Sequence, residues 1–441
     1  MSNSEKNDFL GSDVEEKDLE QTPTNPDEPL ESENAKVDFG EDETVESKDT
    51  KADSQEDEIV KAAMKLGNKG EDSKEVQNVS MSKRMAQFGI TRVILILFLI
   101  LLLVAAGVVG MNVPSFFGDM LTRWGMWGIL IVAMVPAIRC GIGPNFGISI
   151  GIVGGLLGAV ISLELRYRGA YEFAPDQRAA GLIGITVAIV IGVTVATILG
   201  VIYGMLLNQV KGSEMAISVY VGFSAIALFN IVWALIPVTS SVLILPGSGE
   251  GIRQMLNLRD DYGGVINNLG RFQVEILDFG RVNVNTGLLI LFFLVCFCMY
   301  IFTRSRTGMR MSSAGANPAY ATASGINVNK MRILGTTIST ALGAFGIIIY
   351  GQSFGFVQMY NAPLMMPFTI VASILIGGAS IRRATVFDVL LGGFVFSGVL
   401  AVGLPLANQL IPGIPGVPEM LRMIITYGIV LFALTRAKGG R

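Results

Sequence analysis

Few side chains in this sequence can do covalent or acid–base chemistry. Histidine is absent, which excludes a His-based triad, a His proton shuttle and His metal ligation. The thiols are Cys140, Cys296 and Cys298, all within apolar stretches. Cys296-Phe-Cys298 lacks the spacing and the second pair of a zinc or redox site, so the three read as buried, inert thiols with no metal site. A P-loop needs Gly-Lys-Ser/Thr to cradle nucleotide phosphates, and no Gly-Lys dipeptide occurs in the chain. No catalytic residue and no cofactor bound by this chain are expected.

The informative polar residues sit in breaks between apolar runs. Residues 304–332 hold Arg304, Arg306, Arg310, Lys330 and Arg332. Within this loop Asn317 is a good N-cap, Pro318 suits a first helical turn, an Ala-rich run follows, and Gly325 can close the helix in a left-handed cap. The spacing predicts a helix of about two turns, too short to span a membrane or to persist alone in water, where ~12–15 residues are needed. A short surface helix with small side chains suits docking into a partner's groove. A second break, Arg139–Gly151, contains Gly-Ile-Gly-Pro; irregular backbone at membrane depth is tolerated only when buried or lining a cavity. Arg139 reads as an anchor at the membrane face, and Asn145 as a cap or a pathway group. Asn145, Asn230, Ser339 and Gln352, with Trp233 and Phe354, would suit a translocation pathway for an uncharged, hydroxylated solute, and each also has a structural reading.

The elements that must position these residues are membrane helices. The whole chain is 51% hydrophobic and 16% charged, against about 25% charged in a soluble domain. Its net charge of −3 divides unevenly: residues 1–80 hold 24 acidic and 9 basic side chains, a net of −15, leaving +12 on the rest. The first segment reads as a disordered acidic tail. From residue 93 onward the pattern predicts an all-α polytopic bundle of about ten transmembrane helices, at roughly 20 apolar residues each. They are Val93–Met111, Trp124–Gly141, Asn145–Leu163, Gly181–Leu207, Ala216–Val238, Val284–Thr303, Ile333–Gly351, Pro367–Ala379, Ala384–Leu404 and Met420–Leu434. The eighth is short enough to be a broken or half-membrane helix. Lys and Arg cluster in alternate loops, which places both termini, the tail and the 304–332 loop in the cytoplasm and the 239–283 region outside. The permease domain is thus 81–441, behind the tail at 1–80. Gly181, Gly184, Gly192, Gly200 and Gly204 punctuate the fourth span and point to close helix packing.

The loop Gly315-Ala316-Asn317-Pro318-Ala319-Tyr320-Ala321-Thr322-Ala323-Ser324-Gly325-Ile326-Asn327-Val328 resembles the cytoplasmic loop of ribose- and galactose-type ABC importer permeases, Gly-x-Asn-x-x-Ala-Ala-x-x-Ser-Gly-Ile-x-Val. Ala372-Ser-Ile-Leu-Ile-Gly-Gly-Ala-Ser380 resembles a further segment of that family. Two departures stand out. Tyr320-Ala321 replaces an Ala-Ala pair, and Arg139–Gly151 is closer to the nucleoside-type relatives. The resemblance implies a permease subunit of the bacterial cytoplasmic (inner) membrane for simple sugars, or for nucleosides in the alternative. It implies a separate ATPase that uses ATP and docks on Gly315, Ala316, Asn317, Pro318, Ala319, Ala323, Ser324, Gly325 and Ile326. An extracytoplasmic solute-binding protein, a second permease (the same chain or a related one) and membrane lipid complete the expected partners; nucleic acid is not among them. An ATP-independent secondary carrier or channel is the alternative from another class. The near-absence of charge within spans, where Asp388 stands alone near a helix end, argues against an ion-coupled carrier.

Overall fold

The computed structural model describes residues 92–410, apart from 211, 236–254, 259–260, 263, 268–270 and 277–279, and also isolated positions between 420 and 428. The acidic tail, most of the region 239–283 expected to be external and nearly all of the expected span 420–434 lie outside the described residues.

The helices run in order α1 (Arg92–Val108), α2 (Val113–Val132), α3 (Met134–Arg139), α4 (Ile148–Tyr167), α5 (Gln177–Gln209) and α6 (Glu214–Leu235). They continue as α7 (Thr286–Arg304), α8 (Arg306–Ala316), α9 (Pro318–Ala323), α10 (Val328–Phe354), α11 (Asn361–Ile376) and α12 (Val386–Leu410). With α2 and α3 taken together, 7 of these are long and apolar enough to cross a membrane, and α1 and α11 are shorter apolar helices. The chain is a helical, polytopic membrane protein, and the described elements correspond to the first nine expected spans.

Boundaries differ from the hydropathy reading in one instructive place. The second span starts at Val113, not Trp124, and takes Asp119 and Arg123 into the helix. Backbone hydrogen bonding continues through those charges from a start marked by Pro114, whereas a hydropathy window stops at them. The expected short eighth span is α11, 16 residues with Pro367 inside. Short strands amend the all-helical expectation. β1 (Met255–Asn257) pairs antiparallel with β4 (Phe356–Gln358), and β2 (Arg271–Ile276) forms a hairpin with β3 (Gly280–Asn285).

The centre of the bundle is α10 wedged against α4 and α5. Gly151, Gly155 and Gly158 lie along one face of α4 at helical spacing. A Cβ at Gly151 would strike the Thr340 carbonyl, one at Gly155 would strike Ala344 and Ile347, and one at Gly158 would strike the backbone of Ala188 and Gly192. On α5, Gly200 and Gly204 make the same room for Thr340 and Thr336 of α10. Hydroxyls buried in this contact are satisfied within their own helix: Thr336 donates to the Arg332 carbonyl at 3.0 Å and Thr340 to that of Thr336 at 3.1 Å. The opposite faces of α5, α6 and α7 carry exposed Val190, Ile198, Leu228, Ile231 and Phe297, the apolar surface expected toward lipid.

Outside the spans, residues 261–262 and 264–267 pack back onto the bundle. Tyr262 is fully buried, with its ring over Gly184 and its hydroxyl donating to Ser162 Oγ at 2.7 Å. Burial pushes the Tyr262 phenol well above its ordinary pKa, so it remains a donor. Arg166 pairs with Asp261 at 3.0 Å beside it.

Close packing at glycine sets a testable contrast. Gly158→Leu should lower the melting temperature of the detergent-solubilised protein, with overpacking costing about 1–3 kcal/mol. Gly403→Ala, at a position of α12 with nothing within 4 Å, should leave it unchanged or raise it, since Ala gains up to ~1 kcal/mol of helix propensity over Gly.

Candidate functional site

The short helix α9 is written by its caps. Asn317 Oδ1 accepts from the Tyr320 amide at 3.1 Å, and Pro318 opens the first turn. Gly325, at φ +76°, closes it: its amide donates to Thr322 at 3.0 Å and the Ile326 amide donates to Ala321 at 2.9 Å, the doubly bonded left-handed stop that favours glycine. Asn327 then caps α10 by accepting from the Lys330 amide at 3.0 Å. Ala316, Asn317, Pro318, Ala319, Tyr320, Thr322, Ala323, Ser324 and Gly325 are exposed, Ile326 is half-buried, and Ala321 and Gly315 are buried. The helix is held by small residues on one side and presents everything else outward.

Its mooring is the break after α3. The Gly315 backbone lies against Arg139, Cys140 and Gly141; a Cβ on Gly141, at φ +87°, would come within 2.8 Å of Gly315 Cα. Arg139 ties three segments together. Its Nε donates to the Ala384 carbonyl at 2.8 Å and its Nη1 to Ser312 Oγ at 3.4 Å. The expected membrane-face anchor is therefore a cross-link between α3, α8 and the loop before α12. Nearby, Arg332 of α10 forms an ion pair with Glu214 at the start of α6, and Arg92 pairs with Asp388 at 3.3 Å. Asp388 Oδ2 also accepts from the Thr385 amide and hydroxyl, each at 2.8 Å, the helix-end placement anticipated for it. A cavity of about 640 Å³ opens between α9 and this layer, bordered by Gly141, Glu214, Pro318, Thr322 and Arg332.

Of the pathway candidates, Asn145 and Ser339 come together. Tyr203 donates to Asn145 Oδ1 at 2.8 Å, and Asn145 Nδ2 donates to Ser339 Oγ at 3.1 Å, all fully buried between α4, α5 and α10. Gln352 faces the segment between β1 and β2: it donates to Asn267 Oδ1 at 3.2 Å and accepts from the Ile266 amide at 3.4 Å. Trp233 is buried against Phe229, and Asn230 is half-buried on α6.

Phe354 lines a different cavity, about 490 Å³, at the end of the bundle opposite α9. That volume is within the ~300–1,000 Å³ range of small-molecule sites. Its wall is a run of aromatic rings from three helices. Trp127 lies 5.2 Å from Tyr350 and 6.2 Å from Phe396; Tyr350 stacks on Phe354 at 5.5 Å and 22°. Arg123, Gln358, Asn361 and Thr369 supply the polar part. Sequence reasoning missed Arg123, Trp127 and Tyr350. The available signal was the Arg123/Trp127 pair, one helical turn apart inside a span.

The Glu214–Arg332 pair generates a prediction. Both side chains are largely buried, and breaking a buried pair from one side costs about 3–5 kcal/mol. Glu214→Gln should thus lower thermal stability in detergent sharply, while Glu214→Gln with Arg332→Met should recover most of the loss.

No solved structure matches this chain. Over 153 residues it is 31% identical to the nucleoside ABC transporter permease protein NupB of Lactococcus lactis subsp. cremoris (strain MG1363), covering 34% of this chain and 38% of that one. Over 136 residues it is 27% identical to the guanosine ABC transporter permease protein NupQ of Bacillus subtilis (strain 168), covering 31% and 40%. NupC, a nucleoside ABC transporter permease protein of the same Lactococcus lactis strain, is 29% identical over 135 residues, covering 31% and 40%. The chain thus spans at most 40% of the length of these curated relatives. The family described as branched-chain amino acid transport system / permease component matches residues 117–434, a stretch that contains both α9 and the aromatic cavity. The chain belongs to this family of transport-system permease components.

Proposed function

We propose that this chain is the membrane-spanning permease of an ATP-binding-cassette importer that takes up nucleosides. It works as a pair of permeases with separate ATPase subunits on α9 and an extracytoplasmic binding protein at the opposite end. The observation that carries the nucleoside reading is the aromatic wall of Trp127, Tyr350, Phe354 and Phe396. A nucleobase offers a flat π-face to such a wall, with stacking worth about 1–3 kcal/mol per base. The names of the relatives point the same way, so nucleosides replace the simple sugars expected from the ribose-type resemblance. The family's description raises amino acids, but among the described residues the lining has no Asp or Glu to pair with their ammonium group.

Orientation rests on charge. The α9 end carries Arg139, Arg304, Arg306, Arg310, Lys330, Arg382 and Arg383, which favours the cytoplasmic side and leaves the aromatic cavity toward the exterior. Energy then enters at α9, where the ATPases close on ATP. Two routes lead inward. One is the Gly315–Gly141 contact to the break before α4, and the other is α10, which starts within a few residues of the α9 cap. α10 has 27 residues, about 40 Å at helical rise, and ends at Tyr350 and Phe354 on the cavity wall. A shift of α9 thus reaches the solute site through one rigid element.

Ala319→Glu places a charge at an exposed position of α9, on the rim of the cavity shared with Glu214 and Arg332. Uptake of labelled nucleoside should fall at least tenfold, a loss of about 1.4 kcal/mol or more in docking, while membrane insertion and melting temperature persist. Co-purification of the ATPase should fall in parallel. Undiminished uptake would remove the docking role, and ion-gradient-driven transport by the permease without an ATPase would overturn the importer reading in favour of a secondary carrier.

A further inference from the structure

Arg123 and Trp127 stand one turn apart on α2 and both line the aromatic cavity. Arg123 is half-buried, and among the described residues no carboxylate pairs with it. A guanidinium inside a membrane domain needs strong acceptors, because an uncompensated charge there is costly. Gln358 and Asn361 lie in the same lining and hold each other through a 2.9 Å bond from Asn361 Nδ2 to Gln358 Oε1. That leaves the Gln358 amide protons and the Asn361 carbonyl for other partners.

Three ligand chemistries could meet the Arg123 fork. A nucleoside monophosphate brings about −1.5 to −2 charges against the one cation of the described lining. A zwitterionic amino acid brings an ammonium for which the described lining has no carboxylate. A neutral ring with two adjacent acceptors fills the planar fork with no net charge to balance. Guanine and hypoxanthine present that pair at O6 and N7. Adenine has a donor at the 6-position, and pyrimidines have no N7. We propose that Arg123 is a specificity-determining residue that reads the O6/N7 edge of a 6-oxopurine nucleoside whose ring lies on the Trp127–Tyr350 wall. This rests on the nucleoside reading above and narrows it to guanosine- and inosine-like solutes.

The test is uptake of labelled guanosine, inosine, adenosine, uridine and 7-deazaguanosine. It uses cells carrying the full-length chain with its ATPase and binding protein, comparing the parent with Arg123→Gln and Arg123→Lys. The binding protein is the same in every strain, so its own selectivity cancels in each variant-to-parent ratio. Arg123→Lys keeps the charge but not the bidentate fork, and carries the comparison if Arg123→Gln fails to reach the membrane. Guanosine and inosine uptake should fall roughly 10- to 100-fold, 7-deazaguanosine less, and adenosine and uridine by no more than about threefold. An equal loss for all five solutes, or a loss for 7-deazaguanosine as large as for guanosine, would overturn the assignment. A parent strain that takes up none of the five but accumulates leucine would overturn the nucleoside reading itself, and the assignment with it.

Discussion

Close backbone approach of α10 to α4 and α5 is the contact on which the rest of the described bundle depends. Lipid chains are as apolar as leucine, so there is little hydrophobic drive for one membrane helix to leave lipid for another. Association must come from many small dispersion contacts, which fall off steeply with distance. Gly151 and Gly155 on α4, with Gly200 and Gly204 on α5, let the backbone of α10 come into direct contact on both flanks, and Gly158 brings α4 and α5 together in the same way. Because α10 is gripped along its length, its two ends are placed with respect to each other. One end follows the cap of α9, and the other supplies Tyr350 and Phe354 to the cavity.

The same economy governs polarity. Among the described residues the polar groups buried in the middle of the bundle are neutral and mostly paired, as in the Tyr203–Asn145–Ser339 chain, with the Ser397 hydroxyl of α12 an exception. The described ion pairs instead fasten helix ends: Arg92–Asp388 and Glu214–Arg332 near α9, Arg166–Asp261 at the opposite face. A charge near a helix end keeps access to interfacial water, so its desolvation is partial. Arg123 departs from this pattern, sitting in the middle of α2 with a cavity rather than a carboxylate in front of it. A side chain that breaks the local rule of its own protein is where function is expected to outweigh stability.

What was legible in the residues followed the range of the physics that encodes it. Spans are local sums of apolarity, and α9 is written in the local chemistry of Asn317, Pro318 and Gly325, so both were readable from short windows. The start of α2 was misplaced because Asp119 and Arg123 end a hydropathy window without ending a helix. Of the aromatic wall only Phe354 was singled out, by residue type and not by its neighbours. Trp127, Tyr350 and Phe396 come from three helices more than 40 residues apart in the chain, and only packing brings them together. Gln352 and Trp233 were reasonable pathway candidates by residue type. Which way a buried amide or indole faces is decided by tertiary neighbours, here Asn267 and Phe229.

Under the proposed function, α9 has to be preformed yet almost wholly exposed, and these demands pull against each other. A two-turn helix cannot hold itself in water, and burying it would hide the surface an ATPase must grip. The structure meets both demands by closing the helix with side-chain and glycine caps at its ends and by burying only Ala321 of α9, with Gly315 of the preceding α8 as mooring, residues whose contact is little more than a Cβ or bare backbone. Little ordering is left for the partner to impose, which lowers the entropic cost of docking. The exchange of Ala for Tyr at 320 then has a reason. Tyr320 is 65% exposed on a face otherwise built of small residues, and a lone aromatic on a rigid helix is the kind of anchor that dominates an interface. On the proposed docking, a partner ATPase matched to this chain would need a pocket for that ring, whereas a subunit shaped for an Ala-Ala face would meet it as a clash, and Tyr320 would set which ATPase can couple as well as how tightly.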